Sequence, residues 1–247
     1  ATAFPTVQAG IDAASAGDEV WVAAATYVGK VQLKAGVALY GGFAGNETQL
    51  DQRDWTNHPT ILDGNRARGV VGVGAGATNT TRIDGFIIQN GGAGTTVGDS
   101  GGIVCISASP VIANNVIRTN RAKLGGGVYC DRSFAIISSN SIVGNIASEC
   151  GGGLYFTRSG LWVEGNTITG NRATNQTSVV WGGGVYCSIT PSNWTICLTN
   201  NTIPSNACSA GGGGIECSGG SRVVITRSRI SSNSAGPAGG GVEISSA

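Results

Sequence analysis

The stretch GGGVYCDRSFAIISSNSIVGNIA occupies residues 125–147, and its parts return along the second half of the chain. The glycine phrase recurs as GGIVC (101–105), GGGLYF (151–156), GGGVYC (182–187), GGGIEC (212–217) and GGGVEI (239–244). The asparagine phrase recurs as NVIRTNRA (115–122), NTITGNRA (166–173), NTIPSNAC (201–208) and SRISSNSA (228–235). A phrase repeated every 25 to 31 residues marks a repeat architecture. Apolar residues alternate around each phrase. Ile112, Ile137, Val163, Leu198 and Ile225 make one column, and Ile117, Ile142, Ile168, Ile203 and Ile230 a second. Ile103, Val128, Leu154, Val185, Ile215 and Val242 make a third. Period-two alternation in short runs means strands. Three strands per repeat, each repeat alike, predict an all-β chain coiled as a parallel β-helix, every turn stacked on the last. About nine turns at about 4.8 Å per turn would give a rod on the order of 40 Å long.

Two columns of asparagine run through the repeats: Asn115, Asn140, Asn166, Asn201, and Asn120, Asn145, Asn171, Asn206, Asn233. Asparagine tolerates the left-handed backbone of a sharp corner, and its stacked amides can hydrogen-bond from turn to turn. These residues are expected to be structural.

Composition narrows the function. The chain has 247 residues, 15 Lys+Arg against 14 Asp+Glu, and a net charge of +1. So neutral a chain lacks the basic footprint of a nucleic-acid binder. Its longest apolar run, near Val20 to Val28, is too short to span a bilayer. The chain begins Ala-Thr-Ala-Phe and contains no methionine, which fits an exported chain after leader removal. The string VGDSGG at 97–102 reads like the nucleophile loop of a serine protease, with His58 and Asp84 upstream. Its glycines, however, open the first repeat, and only 42 residues separate His58 from Ser100. The protease reading is rejected.

The N-terminal hundred residues differ in texture. Val7, Ile11 and Ala14 recur at helical spacing, with Gly17 placed to close a helix, and Glu19 to Ala23 reads as a strand. A helix within residues 1–18 would cap the first turn, where a solenoid otherwise exposes strand edges. Residues 19–100 then form irregular first turns and 101–247 regular ones, in a single domain whose last turn has no cap of its own. The segments GDEVWVAAATY, LYGGFAGNET, QRDW, TILDG and IDGFIIQNGG, followed by GGGVYC-type turns, resemble secreted bacterial parallel β-helix repeat proteins of the pectate-lyase-like superfold. The resemblance covers the whole chain. It implies a right-handed, single-stranded helix with three strands per turn, and members of this group often carry a C-terminal anchor domain. It implies no particular activity, because the superfold hosts lyases, hydrolases and adhesins.

The seven cysteines match no zinc spacing. Cys105 and Cys130 share an inward column on adjacent turns, as do Cys187 and Cys217, with Phe156 between the pairs. Cys208 takes the place of Ala122, Ala147, Ala173 and Ala235. Cys150 precedes a glycine corner, and Cys197 points outward. Buried thiols packing as small apolar groups are favoured over disulfides between stacked positions, which are geometrically awkward.

Function must sit on the outward columns. One reads Tyr129, Tyr155, Tyr186, Glu216, Glu243. It could lie against a sugar chain, or simply stabilise the strands by cross-strand stacking. A second reads Val111, Ile136, Trp162, Cys197, Val224; an apolar stripe marks a contact surface for another copy or for a covering loop at 174–181 or 188–193. The groups that could support polysaccharide cleavage are sparse: Asp131, Arg132, Arg158 and Glu164, with lysine only at Lys30, Lys34 and Lys123. No catalytic residue, metal ligand or cofactor is assigned. N-glycosylation sequons begin at Asn46, Asn79, Asn175, Asn193 and Asn200. The sequence is thus read as a secreted or cell-surface, non-catalytic structural or adhesive protein. It is expected to stack with copies of itself, head to tail or laterally, into filaments. A polysaccharide-binding or polysaccharide-degrading β-helix is the alternative.

Overall fold

The computed structural model describes residues 3–92, 101–175, 179–188, 191, 193–220, 222–237 and 239–245. Three sheets, each eight strands deep, wrap one apolar core. Sheet 1 runs from Glu19–Ala23 to Val223–Thr226, sheet 2 from Thr26–Val28 to Arg229–Ser231, and sheet 3 from Val31–Leu33 to Val242–Ser245. All strand pairings are parallel and join each strand to its counterpart one repeat away. One strand from each sheet makes a rung, numbered one to eight from the N-terminus. Eight rungs, against the nine expected, span about 34 Å at about 4.8 Å per step. The fold is the expected parallel β-helix.

The register follows the sequence columns. Ile112 pairs with Ile137, Ile137 with Val163, and Val163 with Leu198, all without exposed surface. Ile117, Ile142, Ile168 and Ile203 do the same in sheet 2, and Ile103, Val128, Leu154, Val185 and Ile215 in sheet 3. Burial of these stacked branched side chains drives the coiling. Helix α1 (Val7–Ala13) is capped by the Thr6 side chain and packs Val7, Gly10 and Ile11 against the first rung. It ends at Ala13, before Gly17, with Ala14 as an extended C-cap, and Lys34 Nζ donates to the Asp12 and Ala14 carbonyls there. A feature not foreseen is a short fourth sheet, Arg121–Leu124, Ile146–Cys150 and Arg172–Ala173, that lines the corner before the glycine triplets.

Both asparagine columns are buried ladders. Asn145 Oδ1 accepts from the Asn120 backbone N–H (3.1 Å) and from Asn120 Nδ2 (3.0 Å). Asn145 Nδ2 donates to the Ile117 carbonyl (2.8 Å) and to Asn171 Oδ1 (3.0 Å). Asn140, Asn166, Asn171 and Asn206 repeat this pattern. Asn115 and Asn120 receive the Phe86 and Gly91 amides at the lower ends. At the upper ends Asn201 donates its N–H to Ser228, and Asn233 accepts from Asn206. The left-handed backbone, however, belongs to the residue before each ladder asparagine: Asn114, Ser139, Gly165 and Asn200 in one column, Thr119, Gly144, Gly170, Ser205 and Ser232 in the other. The corner residue turns the chain, and the turn aims the next side chain inward, where its amide can bridge rungs.

Candidate functional surface

The tyrosine–glutamate column is in register, Tyr129 to Tyr155 to Tyr186 to Glu216 to Glu243. The three rings stack at centroid distances of 5.4 and 5.2 Å. The column is not an open platform. Gly151 and Gly182, the first glycines of their triplets, have left-handed φ and lie against the residue four positions on. A Cβ on Gly151 would stand 2.8 Å from Tyr155 Cβ, and one on Gly182 2.7 Å from Tyr186 Cβ. Gly125, also left-handed, would place a Cβ 2.9 Å from Tyr129 Cα; Tyr129 is only 6% exposed, and Tyr155 and Tyr186 are half-buried. Burial pushes all three phenols above their ordinary range. In rungs seven and eight a carboxylate fills the same slot. Glu216, 1% exposed, accepts the Gly212 N–H (2.6 Å) and the Ser245 hydroxyl (2.8 Å). Half-buried Glu243 accepts the Gly239 N–H (3.2 Å). The expectation of five outward ligand groups is thus corrected for Tyr129 and Glu216, which are interior. The cause is the close fold of the glycine corner.

The second column is also in register, Val111 to Ile136 to Trp162 to Cys197 to Val224. Val111 is buried and Ile136 and Cys197 are half-buried, so only Trp162 (47%) and Val224 (40%) stand open. The expected continuous exposed stripe is broken accordingly. Beside it lies a pair of aromatics that the sequence patterns did not single out. Phe134, 51% exposed, meets Trp194 edge to face at 4.7 Å. Gly160 lies under Phe134, where a Cβ would stand 3.0 Å from the ring. Trp162 Nε1 donates to Glu164 (2.7 Å). Phe134, Trp162 and Trp194 thus sit on one side of the rod, around sheet 1.

The charged candidates hold the fold together. Asp84 has no exposed surface. It accepts from Arg53 Nη2 (2.6 Å), from Arg82 through two nitrogens, and from Asn114 Nδ2 at 3.1 Å to each oxygen. Arg53 comes from the loop after the second strand of sheet 1 and lies between the rings of Tyr40 (4.9 Å) and Trp55 (4.7 Å). Buried Asp131 takes Arg158 (2.8 Å) and Arg132 (3.2 Å). The backbone N–H of His58 donates to the Asp54 carbonyl, and its Nδ1 is buried without a partner. Val97 to Ser100 lie outside the described residues, as do parts of the 174–181 and 188–193 insertions. Asn46, Asn79, Asn193 and Asn200 are exposed, whereas Asn175 is half-buried and donates to the Ser148 carbonyl (3.1 Å). None of the seven cysteines is bridged to another in this structure. Among the described residues no group of three or more His, Cys, Asp or Glu could hold a metal, and no helix is long and apolar enough to cross a membrane.

Stacked parallel rungs, an inner asparagine ladder and a surface of half-covered columns define a β-helix repeat protein. The chain belongs to the family described as periplasmic copper-binding protein (NosD), whose family model matches residues 12–245. No curated protein and no solved structure matches the sequence.

Proposed function

We propose that the chain is an exported, non-catalytic scaffold whose sheet 1 side is an adhesive surface for other molecules. One observation carries this reading. The acids that could serve chemistry are held by neighbours, Asp84 by Arg53 and Arg82, Asp131 by Arg158, Glu216 by a glycine amide and Glu164 by the Trp162 indole, while Phe134 and Trp162 stand exposed with half-buried Trp194 against Phe134. Exposed aromatics suit binding to the faces of sugar rings or to the side of another rod. The family's description as periplasmic supports export.

The copper of that description does not transfer to these residues. Copper takes imidazole, thiolate and thioether donors. This chain has no methionine and one histidine, and its facing thiols are sealed in an apolar core.

Binding of the purified chain to a glycan array, together with sedimentation velocity across a concentration series, tests the proposal. Wild type should bind a glycan class or self-associate, and the double variant F134A/W162A should lose that binding while keeping its circular dichroism spectrum. Release of new reducing or unsaturated sugar ends from a polysaccharide would overturn the non-catalytic reading. Unchanged binding by the double variant would overturn the assigned surface.

A further inference from the structure

Four cysteines share the second inward column of sheet 3. Cys130 pairs directly with Cys105, and Cys217 with Cys187, across adjacent parallel strands. Phe156 stands between the two pairs, in register with Cys130 on one side and Cys187 on the other. Within each pair the two side chains face each other in the core. That contact, with burial added, holds the Cys105 and Cys187 protons on far above the ordinary thiol range. All four side chains are buried.

We propose that Cys105–Cys130 and Cys187–Cys217 are oxidation sites, which close as two rung-to-rung disulfides when the chain folds in an oxidising compartment. The compartment rests on the export reading above; the pairing rests on the register alone. Directly paired parallel strands set their Cα atoms about 4.8 Å apart, inside the roughly 4.4–6.8 Å that disulfides span. The Cβ atoms start about 1 Å wider than the usual disulfide separation, so each bond draws two rungs slightly together. The remaining thiols have no such partner. Cys150 bridges to Trp181 in rung six, and Cys208 follows Ala207 in rung seven, so these two are separated by a whole rung. Two steps of about 4.8 Å exceed the span of a disulfide. Cys197 faces outward between Trp162 and Val224.

In each closure two S–H bonds break and one S–S bond forms. Two protons and two electrons pass to a disulfide oxidant, which leaves as a dithiol. Because the sulfurs are sealed once the rungs stack, exchange takes place before the core closes.

The test refolds the purified, reduced chain from denaturant in a mixture of reduced and oxidised glutathione. The product is acid-quenched, alkylated under denaturing conditions, weighed intact and mapped by proteolysis. Of the seven cysteines, three should alkylate before reduction and all seven after it, with cross-linked peptides joining Cys105 to Cys130 and Cys187 to Cys217. Seven alkyl groups before reduction, or cross-links between other cysteines, would overturn the proposal. C105S should raise the count by one and leave Cys187–Cys217 intact; should it not fold, C187S reads the same at the other pair. The same mapping on chain isolated from the cells that make it separates the two premises. Bonds that form on refolding but are missing there would overturn the export reading and leave the geometry standing.

Discussion

Asn145 is the middle member of its ladder, and its replacement isolates what a rung-to-rung amide contributes. In Asn145→Ala the Asn120 backbone N–H and one Asn120 Nδ2 hydrogen lose their acceptor, and the Ile117 carbonyl loses its donor. All three groups are buried. Each unmatched group costs about 1–3 kcal/mol, so the variant should lose about 3–9 kcal/mol. That is a large share of the roughly 5–15 kcal/mol by which folded domains are stable. Asn145→Asp keeps the shape but sets an acceptor where Nδ2 donates to the Ile117 carbonyl and to Asn171 Oδ1. Burying an ionised carboxylate against two oxygens raises its pKa in the folded state. The aspartate variant is therefore closest to wild type below about pH 3.9, where the unfolded side chain is also protonated, and falls behind as pH rises through the raised folded value. Urea midpoints by circular dichroism, at acidic and neutral pH, measure both effects. The exposed Asn46→Ala serves as control and should stay within about 0.5 kcal/mol of wild type. An aspartate variant as stable as wild type at neutral pH would refute the ladder reasoning, and so would an Asn145→Ala cost no larger than the control's.

Other perturbations probe the remaining devices. Asp84→Asn leaves buried Arg53 without its counter-charge and should cost about 3–5 kcal/mol, read as a lowered thermal midpoint. Gly127→Ala places a Cβ 2.6 Å from the Gly153 carbonyl oxygen and 3.2 Å from Asn145 Nδ2, and should destabilise more than Gly144→Ala. The latter has open space and meets only the left-handed backbone penalty of about 1–2 kcal/mol. Alkaline pH should weaken the fold. Burial holds the Cys150 thiol up to about 11 and raises the phenols of Tyr129, Tyr155 and Tyr186. The folded chain keeps protons that the unfolded chain releases, so this stability is complete below the ordinary thiol range and is lost as pH rises through the folded values. Denaturant midpoints against pH should fall on the alkaline side, with tyrosinate absorbance growing as the chain unfolds. Asp63 acts at the other end: burial pushes it up, but hydrogen bonds from Gln89, Asn65 and Asn90 outweigh that and hold it low. Its contribution should fade as pH falls through the folded value, and Asp63→Asn should flatten the acid limb of the same titration.

Much of the architecture was legible because the helix repeats. Each inward residue sits on its counterpart one repeat away, so alternation and spacing alone placed Ile137, Ile142 and Val128 in the core and set their partners. The outward columns were legible in register but not in exposure. Whether Tyr129 or Glu216 meets solvent depends on how closely the glycine corner folds back, and the letters GGG allow both an open and a closed corner. The fourth sheet was hidden for a similar reason, since its strands are as short as Arg172–Ala173 and lack clear alternation.

The sequence by itself determined the coil, its register and its core, because these depend on contacts between equivalent positions that the repeat already aligns. Only the tertiary structure decided the surface. The clasp of Arg53 on Asp84 joins positions that no period relates, and so does the meeting of Phe134 with Trp194 across Gly160. Such contacts depend on the path of corners and loops, where glycine leaves the backbone free and the packed fold chooses.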